Sequence, residues 1–124
     1  MKKLTKEQHD VLINKATERP FTGKLLNNKE SGEYLCAQCG SILFDSNKKF
    51  DSGTGWPSFY DAKKGAVKFV KDGSLFMKRT EVVCAKCLGH LGHVFDDVPK
   101  EKGKRYCINS CALEFKKEKD VAKP

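Results

Sequence analysis

The sequence is short, highly charged and rich in cysteine. Of its 124 residues 32% are charged, the formal net charge is +8, and six residues are cysteine. A chain of this length forms one domain with a modest core. The lysines are interspersed with acids instead of forming a clustered basic face, which argues against nucleic-acid binding, and no stretch approaches the roughly 18 apolar residues of a membrane span.

We therefore predict a single domain over residues 1–124, with a frayed basic tail over about 116–124, and a monomer with no nucleic-acid or membrane partner. The N-terminal stretch lacks the uncharged apolar run of a secretory signal, which favours a cytoplasmic location. In a reducing cytoplasm, so many cysteines indicate metal binding or catalysis more than a disulfide framework.

The first predicted element is a helix over residues 5–17. Thr5 and Gln8 form a capping-box pair at its start, and Val11 and Ala16 share its apolar face. We expect the helix to pack through this face.

Short strands separated by turn residues are predicted for the remainder of the chain. The runs are rich in Val, Ile, Phe and Tyr, which is typical of antiparallel strands. Asp72 and Gly73 predict a hairpin turn between the first two. The strongest predicted strands are residues 66–70, 74–84, 93–95 and 105–110.

Two pairs of cysteines with metal-ligand spacing lie far apart in the chain. Cys36 and Cys39, like Cys84 and Cys87, are separated by two residues, and a glycine follows each pair closely. Two such pairs supply four thiolates for a tetrahedral ion and leave no open position for catalysis. We favour one structural Zn²⁺ ion; iron in the same ligand set and two redox dithiols are the alternatives.

Between these pairs lies FDSGTGWPSF, residues 50–59, which holds the only tryptophan. Gly53 and Gly55 allow backbone angles that other residues avoid, and Pro57 restricts Trp56 to an extended conformation. Such a rigid loop either anchors Trp56 in the core or presents its indole as a wall for a small apolar group. Composition alone favours the core.

Two of the three histidines follow the second cysteine pair, in GHLGHVFDD at residues 89–97. The cysteines already fill a zinc shell, so His90 and His93 are not needed as ligands. They form either a proton-handling or polar recognition site, or a pair of structural histidines.

Cys107 and Cys111 remain once four cysteines are assigned to metal. If residues 105–110 form a strand, Arg105, Cys107 and Asn109 project from the same face. Positive charge beside a thiol enlarges its thiolate fraction, which a nucleophilic cysteine requires. A buried, inert cysteine is the alternative.

These motifs, taken together and in this order, resemble the B-type methionine sulfoxide reductases. The resemblance covers about residues 4–115. It implies a mainly β fold of two antiparallel sheets with short N-terminal helices, and a zinc site remote from a pocket that reduces the R epimer of methionine sulfoxide. The resemblance is carried by TERPFTG at 17–23, CAQCG at 36–40, FDSGTGWPSF, CAKCLGHLGHVFDD at 84–97 and RYCINS at 105–110.

The resemblance also implies a role for each motif residue. Cys107 is the nucleophile, and His93 and Asn109 act beside it in catalysis. Oxidised methionine-containing proteins are the implied substrates. The implied substrate-binding residues are Trp56, His90 and Arg105, Asp97 is a supporting charge, and the zinc ligands are Cys36, Cys39, Cys84 and Cys87.

Regeneration is the step for which this sequence departs from the family. Attack by Cys107 leaves a sulfenic acid that another thiol must reduce. Many family members use a second cysteine in the tryptophan loop, where this chain has Thr54. Cys111 is the candidate resolving residue, and a neutral replacement of a small residue is the alternative. Four residues of continuous strand span about 13 Å, whereas a disulfide needs Cα atoms within about 7 Å. A bridge to Cys107 would therefore need the chain to turn after Asn109. Thioredoxin, glutathione or another thiol is then the expected reductant.

Two rival functions fit parts of the sequence. A zinc-ribbon nucleic-acid-binding module explains the paired cysteines and the positive charge, but it does not need the tryptophan turn, the two histidines or Cys107. An inactive scaffold of the reductase fold is disfavoured because no proposed catalytic position is replaced.

Overall fold

The computed structural model describes residues 3–72 and 79–118. Within them the chain forms one α-helix, nine strands and short 3₁₀ turns at Ser46–Lys48, Lys100–Lys102 and Ser110–Ala112. This confirms the mainly β fold class, with one short helix where short helices were expected. The helix and strands are α1 (Lys6–Leu12), β1 (Gly32–Cys36), β2 (Ile42–Asp45), β3 (Lys49–Phe50), β4 (Ser58–Phe59), β5 (Val67–Asp72), β6 (Arg79–Cys84), β7 (His90–Phe95), β8 (Arg105–Ile108) and β9 (Leu113–Lys117).

The strands form two antiparallel sheets, as predicted. The smaller sheet has the order β2-β1-β9 and the larger β3-β4-β8-β7-β6-β5. Strands β7 and β8, which carry the histidine and Cys107 motifs, pair with each other at the centre of the larger sheet. Each is hydrogen-bonded on both sides, so the side chains of these motifs stand on constrained backbone.

Aromatic rings join the two sheets into one core. Phe44 of the smaller sheet stacks on Phe59 of the larger with ring centroids 4.3 Å apart, and Tyr34 meets Phe59 edge-on at 5.0 Å. All three residues are fully buried. Ring pairs of this geometry stabilise a core beyond the area that they bury.

Helix α1 is shorter than the sequence predicted. Its capping box is present: the Gln8 backbone N donates to Thr5 Oγ1 at 3.1 Å, and the Thr5 backbone N donates to Gln8 Oε1 at 3.0 Å. The helix ends after seven residues. Lys15 then adopts a φ of 61°, a left-handed conformation that an α-helix cannot contain. The prediction that Ala16 joins the buried face is therefore wrong, and Ala16 is exposed.

The four predicted strands correspond to β5 to β8 with shifted ends. β7 begins earlier than predicted, at His90, and β8 stops at Ile108 because Ser110 starts a 3₁₀ turn. β5 and β6 pair as expected, with Asp72 opposite Arg79. The predicted turn between them, with the first residues of the predicted strand 74–84, lies outside the described residues.

The last strand reaches into the stretch that was predicted to be a tail. β9 pairs with β1 as far as Lys117, opposite Gly32, so the ordered sheet extends two residues further than expected. Residues 119–124 lie outside the described part of the chain. Among the described residues, no helix has the length and apolar character needed to cross a bilayer.

Candidate active site and metal centre

A row of side chains crosses the face of the larger sheet that points away from the aromatic core. His93 lies opposite Glu81 on one side and Cys107 on the other, and Cys107 lies opposite Ser58. Cross-strand partners share a face. The next residue along β8, Ile108, points the other way and is fully buried in the core. Strand register therefore assembles this row from four strands.

A bulge in β7 brings the two histidines to the same face. Residues three apart in a regular strand point to opposite faces. Here Val82 pairs with Gly92 and Val83 with His90, so one extra residue, Leu91, is accommodated in β7. The rings of His90 and His93 consequently meet edge to face with centroids 5.5 Å apart.

His90 is buried beside His93 and bonded to an acid. Its Nδ1 lies 2.8 Å from Oε2 of Glu81, whose other oxygen lies 3.5 Å from Lys15 Nζ. Burial lowers the pKa of His90, and the bond with Glu81 offsets only part of this effect. The ring is therefore neutral at pH 7. Its Nε2 is buried with no hydrogen-bond partner in the described part of the chain.

A pocket of about 270 Å³ opens at Cys107. Its described lining includes five residues that the motifs had singled out: Trp56, His93, Arg105, Cys107 and Asn109. His90 does not line it and reaches the site only through His93. The remaining lining residues are Thr17, Thr54, Arg79, Gly92 and Phe95.

Within residues 3–72 and 79–118, the sulfur of Cys107 has hydrogen-bond contacts with three side chains. Nη1 of Arg105 donates to Sγ at 2.7 Å, and the hydroxyl oxygens of Thr54 and Ser58 each lie 3.6 Å away. A guanidinium donor stabilises negative charge on a sulfur. Thr54, which stands where the resemblance implies a second cysteine in many family members, therefore touches Cys107, but its hydroxyl cannot form a disulfide.

Arg105 is fixed from two directions. Its Nε and Nη2 donate to the two carboxylate oxygens of Asp97 at 3.0 and 2.7 Å, and its guanidinium carbon lies 4.4 Å from the ring centre of Phe95. The bond from Arg105 holds the pKa of Asp97 below its usual value. The geometry gives Asp97 contact with Arg105, as its predicted supporting role requires.

Trp56 forms a wall of the pocket, on a loop with two left-handed glycines. Gly53 and Gly55 have φ of 74° and 96°, angles that favour glycine. The indole is half-buried, and its Nε1 donates to the backbone oxygen of Glu18 at 2.7 Å. The sequence allowed Trp56 to be either a core residue or the wall of a binding site. Its half-buried position at the pocket is the one expected of a wall.

Asn109 reaches the pocket by a route different from the predicted one. It lies beyond the end of β8, so strand alternation does not align it with Cys107. Its amide is held by backbone groups: Nδ2 donates to the Leu91 carbonyl at 2.9 Å, and Oδ1 accepts from the Glu18 backbone N at 2.8 Å.

Cys111 lies in different surroundings from Cys107 and does not line its pocket among the described residues. Its thiol neighbours the carboxylates of Glu7 and Glu18. Burial, reinforced by these negative charges, raises the pKa of Cys111 to about 12. Its thiol is therefore protonated at neutral pH.

Four cysteines form a cluster that suits a metal ion. Sγ of Cys36 is 3.6 Å from that of Cys87, and Sγ of Cys39 is 3.6 Å from that of Cys84. All four sulfurs lie within 4.8 Å of one another. Tetrahedral Zn–S bonds of about 2.3 Å place sulfurs about 3.8 Å apart, so the cluster fits such an ion. The hydrogen bond between Cys36 and Cys84 lowers the pKa of Cys84 and raises that of Cys36, so Cys84 carries the thiolate of this pair.

Comparison with known proteins identifies the family. The model of the SelR domain matches residues 4–117. The chain belongs to this family. It is 59% identical to the peptide methionine sulfoxide reductase MsrB of Methanosarcina mazei, over 97% of the chain and 86% of that protein. With the MsrB of Leptospira interrogans the identity is 55%, over 94% and 90%. These findings confirm the predicted B-type methionine sulfoxide reductase, an enzyme, and they do not favour the zinc ribbon.

Among solved structures, the Mis18 'Yippee-like' domain shares the fold. The TM-score is 0.54 at 20% identity, covering 71% of this chain and 97% of that one. At this sequence identity, the similarity supports a shared fold but no inference about function.

Sequence reasoning did not single out two acids at the site. Glu81 had a signal, because a charged residue in a strand otherwise ending in Val-Val-Cys is out of place unless it has a partner. Glu18 stands in the TERPFTG motif, but its contacts with Trp56 and Asn109 depend on residues far away in the chain.

Proposed function

We propose that this chain reduces the R epimer of methionine sulfoxide in oxidised proteins, with Cys107 as the nucleophile. The observation that carries the proposal is the pocket at Cys107, where Arg105 donates to the sulfur and Trp56 and His93 supply the walls. A pocket with an aromatic wall and a charged donor suits a group that is apolar at its methyl and polar at its oxygen.

The reaction divides into attack and release. The sulfur of Cys107 attacks the sulfoxide sulfur, and the sulfoxide oxygen gains a proton and passes to the cysteine. Methionine leaves and Cys107 remains as a sulfenic acid, so methionine sulfoxide is reduced by two electrons to methionine and the cysteine is oxidised by two. His93 lies opposite Cys107 in the sheet and is the proposed proton donor to the oxygen.

The positions of Trp56 and Asn109 in the pocket support this reaction. The indole faces the pocket while its N–H is engaged with Glu18, so the ring is held as a wall for the substrate methyl group. Asn109 lines the same pocket, and its amide retains a second N–H for the sulfoxide oxygen. His90 does not line the pocket, so its proposed part in substrate binding is to hold the ring of His93 in place.

We propose that the sulfenic acid is reduced by an external thiol, thioredoxin or a small thiol, in a monomeric cytoplasmic enzyme. Two thiols are consumed, and a disulfide and water are released. Thr54 lacks a sulfur, and the protonated, partly buried Cys111 is a poor attacking group.

Single-turnover mass spectrometry without reductant tests this regeneration step. The wild-type protein should retain a trappable sulfenic acid, whereas Thr54→Cys, with a sulfur in contact with Cys107, should form a bridge. A Cys107–Cys111 bridge in the wild-type protein would refute external regeneration.

For the metal cluster we propose one structural Zn²⁺ held by Cys36, Cys39, Cys84 and Cys87. When bound, the ion links the β1–β2 turn to the β6–β7 turn and contributes stability without taking part in the reaction. Metal analysis should find one zinc per chain, and Cys84→Ser should lose both metal and fold. Iron in the purified protein would contradict the assignment.

An epimer-resolved assay tests the proposed activity. Peptide methionine-R-sulfoxide and its S epimer are supplied separately with thioredoxin or dithiothreitol, and methionine is quantified. We expect reduction of the R epimer only. Equal turnover of both epimers, or none of either, would contradict the proposal.

A further inference from the structure

Glu18 lies where the N-terminal arm, residues 13–31, crosses the pocket. The preceding residue, Thr17, lines the pocket itself. Glu18 is part-buried and belongs to no helix or strand, so its position is set by its contacts. Those contacts involve both its main chain and its carboxylate.

The main chain of Glu18 connects two residues of the pocket. Its N–H donates to Oδ1 of Asn109 at 2.8 Å, and its carbonyl accepts from Nε1 of Trp56 at 2.7 Å. Asn109 is in turn bonded to Leu91 of β7 at 2.9 Å. A continuous series of hydrogen bonds therefore runs from the central strands to the indole.

The carboxylate of Glu18 caps the turn that follows β8. Oε1 accepts from the Ser110 N–H at 2.8 Å and Oε2 from the Cys111 N–H at 3.1 Å. Asn109, the residue before the 3₁₀ turn, makes no side-chain cap of its own, because its amide is bonded to Glu18 and Leu91. Glu18 supplies the missing cap from the other end of the chain.

Close packing leaves this arrangement little freedom. A Cβ on Gly23 would lie 2.8 Å from Oε1 of Glu18 and would collide with Ser110, so the arm and the turn are in direct contact. The two N–H donors are part-buried, and losing both acceptors at once would leave them unsatisfied.

We propose that Glu18 is a positioning residue for the reductase site. Its carboxylate accepts hydrogen bonds from the backbone N–H groups of Ser110 and Cys111. These bonds fix the main chain of Glu18 where it hydrogen-bonds Trp56 and Asn109, and so they orient both side chains. This rests on the proposed function of the pocket. Glu18 does not touch the reacting atoms; it sets how well the indole wall fits the substrate methyl group.

Glu18→Ala and Glu18→Gln test the proposal, with Glu7→Gln as the matched control. Alanine removes both acceptors, and glutamine retains only one oxygen. Glu7 is an exposed carboxylate in the same cluster that makes none of these bonds, so its change removes the same charge alone. We expect KM for the sulfoxide peptide to rise about tenfold in Glu18→Ala, with kcat changing less, because an altered wall weakens ground-state and transition-state binding alike.

Trp56 is the only tryptophan, so its fluorescence reports the indole directly and needs no turnover. We expect a red-shifted emission and stronger acrylamide quenching in both Glu18 variants, and an unchanged spectrum in Glu7→Gln. This readout remains valid if the proposed activity fails. Should Glu18→Ala not fold, Glu18→Gln provides the same comparison with a smaller shift.

A double-mutant cycle with Trp56→Phe, which deletes the indole N–H, completes the test. The KM effects of Glu18→Ala and Trp56→Phe should be less than additive, because both disturb one contact. Fully additive effects, or Glu18 variants that lower only the melting temperature while KM and emission stay as in the wild type, would overturn the proposal.

Discussion

Cys107 and Cys111 are four residues apart in the chain, yet their thiols have opposite surroundings. Cys107 lies in an open pocket with the Arg105 guanidinium 2.7 Å from its sulfur. Cys111 is partly buried beside the carboxylates of Glu7 and Glu18, and burial together with these charges raises its pKa to about 12. The backbone leaves β8 after Ile108 and turns, which separates the two thiols.

This difference shows that the reactivity of a cysteine is set by the groups facing it, not by its neighbours in sequence. On one side of the turn a cation faces the sulfur; on the other side carboxylates do. The same turn is capped by Glu18, so one residue borders both environments. Changes at the two thiols and at the groups around them should therefore have effects of very different size on reaction rate and stability.

Replacement of each thiol should give the largest contrast. Cys107→Ser should lower reduction of the R epimer at least about a thousandfold, since the nucleophile is lost. Cys111→Ser should leave the rate with excess thiol within about twofold, because its protonated thiol takes no part. High-performance liquid chromatography of the product gives both rates. Substantial activity in Cys107→Ser, with zinc and fold intact, would remove Cys107 from the nucleophile role.

Alkylation of Cys111 should be slow across the neutral range. A thiol with a pKa of about 12 is protonated below that pH, and only the thiolate reacts. At pH 8 we expect iodoacetamide to modify Cys111 about a thousandfold more slowly than free cysteine. Peptide mapping of Cys107→Ser follows this site separately from the zinc ligands. Modification at the rate of free cysteine would mean that burial and the neighbouring carboxylates do not keep this thiol protonated.

Removal of the cation beside Cys107 should give an intermediate effect. Arg105→Met deletes the donor to the sulfur, and we expect kcat/KM to fall about tenfold to a hundredfold. Lys104→Met is the matched control, because it removes an adjacent, exposed positive charge that is paired with Asp96 at 3.9 Å. Equal losses in both variants would indicate that general surface charge, not contact with the sulfur, supports the reaction.

The smallest effect concerns His90, which burial keeps neutral as it does Cys111. The pKa of His90 is lowered from 6.5, so below that pH the unfolded chain binds a proton that the folded chain resists. The free energy of unfolding should therefore fall as pH drops below about 6.5 and level off above it. Urea titrations between pH 5 and 8 with excess zinc measure this slope. His90→Gln should flatten it; identical slopes would contradict a buried neutral His90.

Much of this protein could be predicted from its sequence because its signals are local. The spacing of Cys36 with Cys39 and of Cys84 with Cys87 requires only that each turn present two sulfurs to one point. Alternating runs between turn residues indicated β5 to β8, and the capping box located the start of α1. Motifs in family order identified the enzyme.

Predictions that needed distant contacts succeeded less well. Helix α1 stopped early because the backbone turns at Lys15, and β8 ended before Asn109 because the chain bends to meet Glu18. Lysine is not a residue that favours a left-handed φ, so the first bend has no strong local signal. The second bend is bonded to Glu18, which lies 92 residues from Ser110 in the chain. β1, β2 and β9 were not singled out either; β9 completes their sheet by pairing with β1, which lies far away in the chain.

The sequence by itself determined the family, the two cysteine pairs that form the cluster and the identity of the residues that line the pocket, because each of these is encoded in short motifs. Only the tertiary structure decided how those residues are used. The bulge at Leu91 turns His90 toward His93, cross-strand register sets His93 beside Cys107, and the arm at Glu18 holds Trp56. The physical reason is that hydrogen bonding and burial depend on which groups meet in space, and here those groups come from opposite ends of the chain.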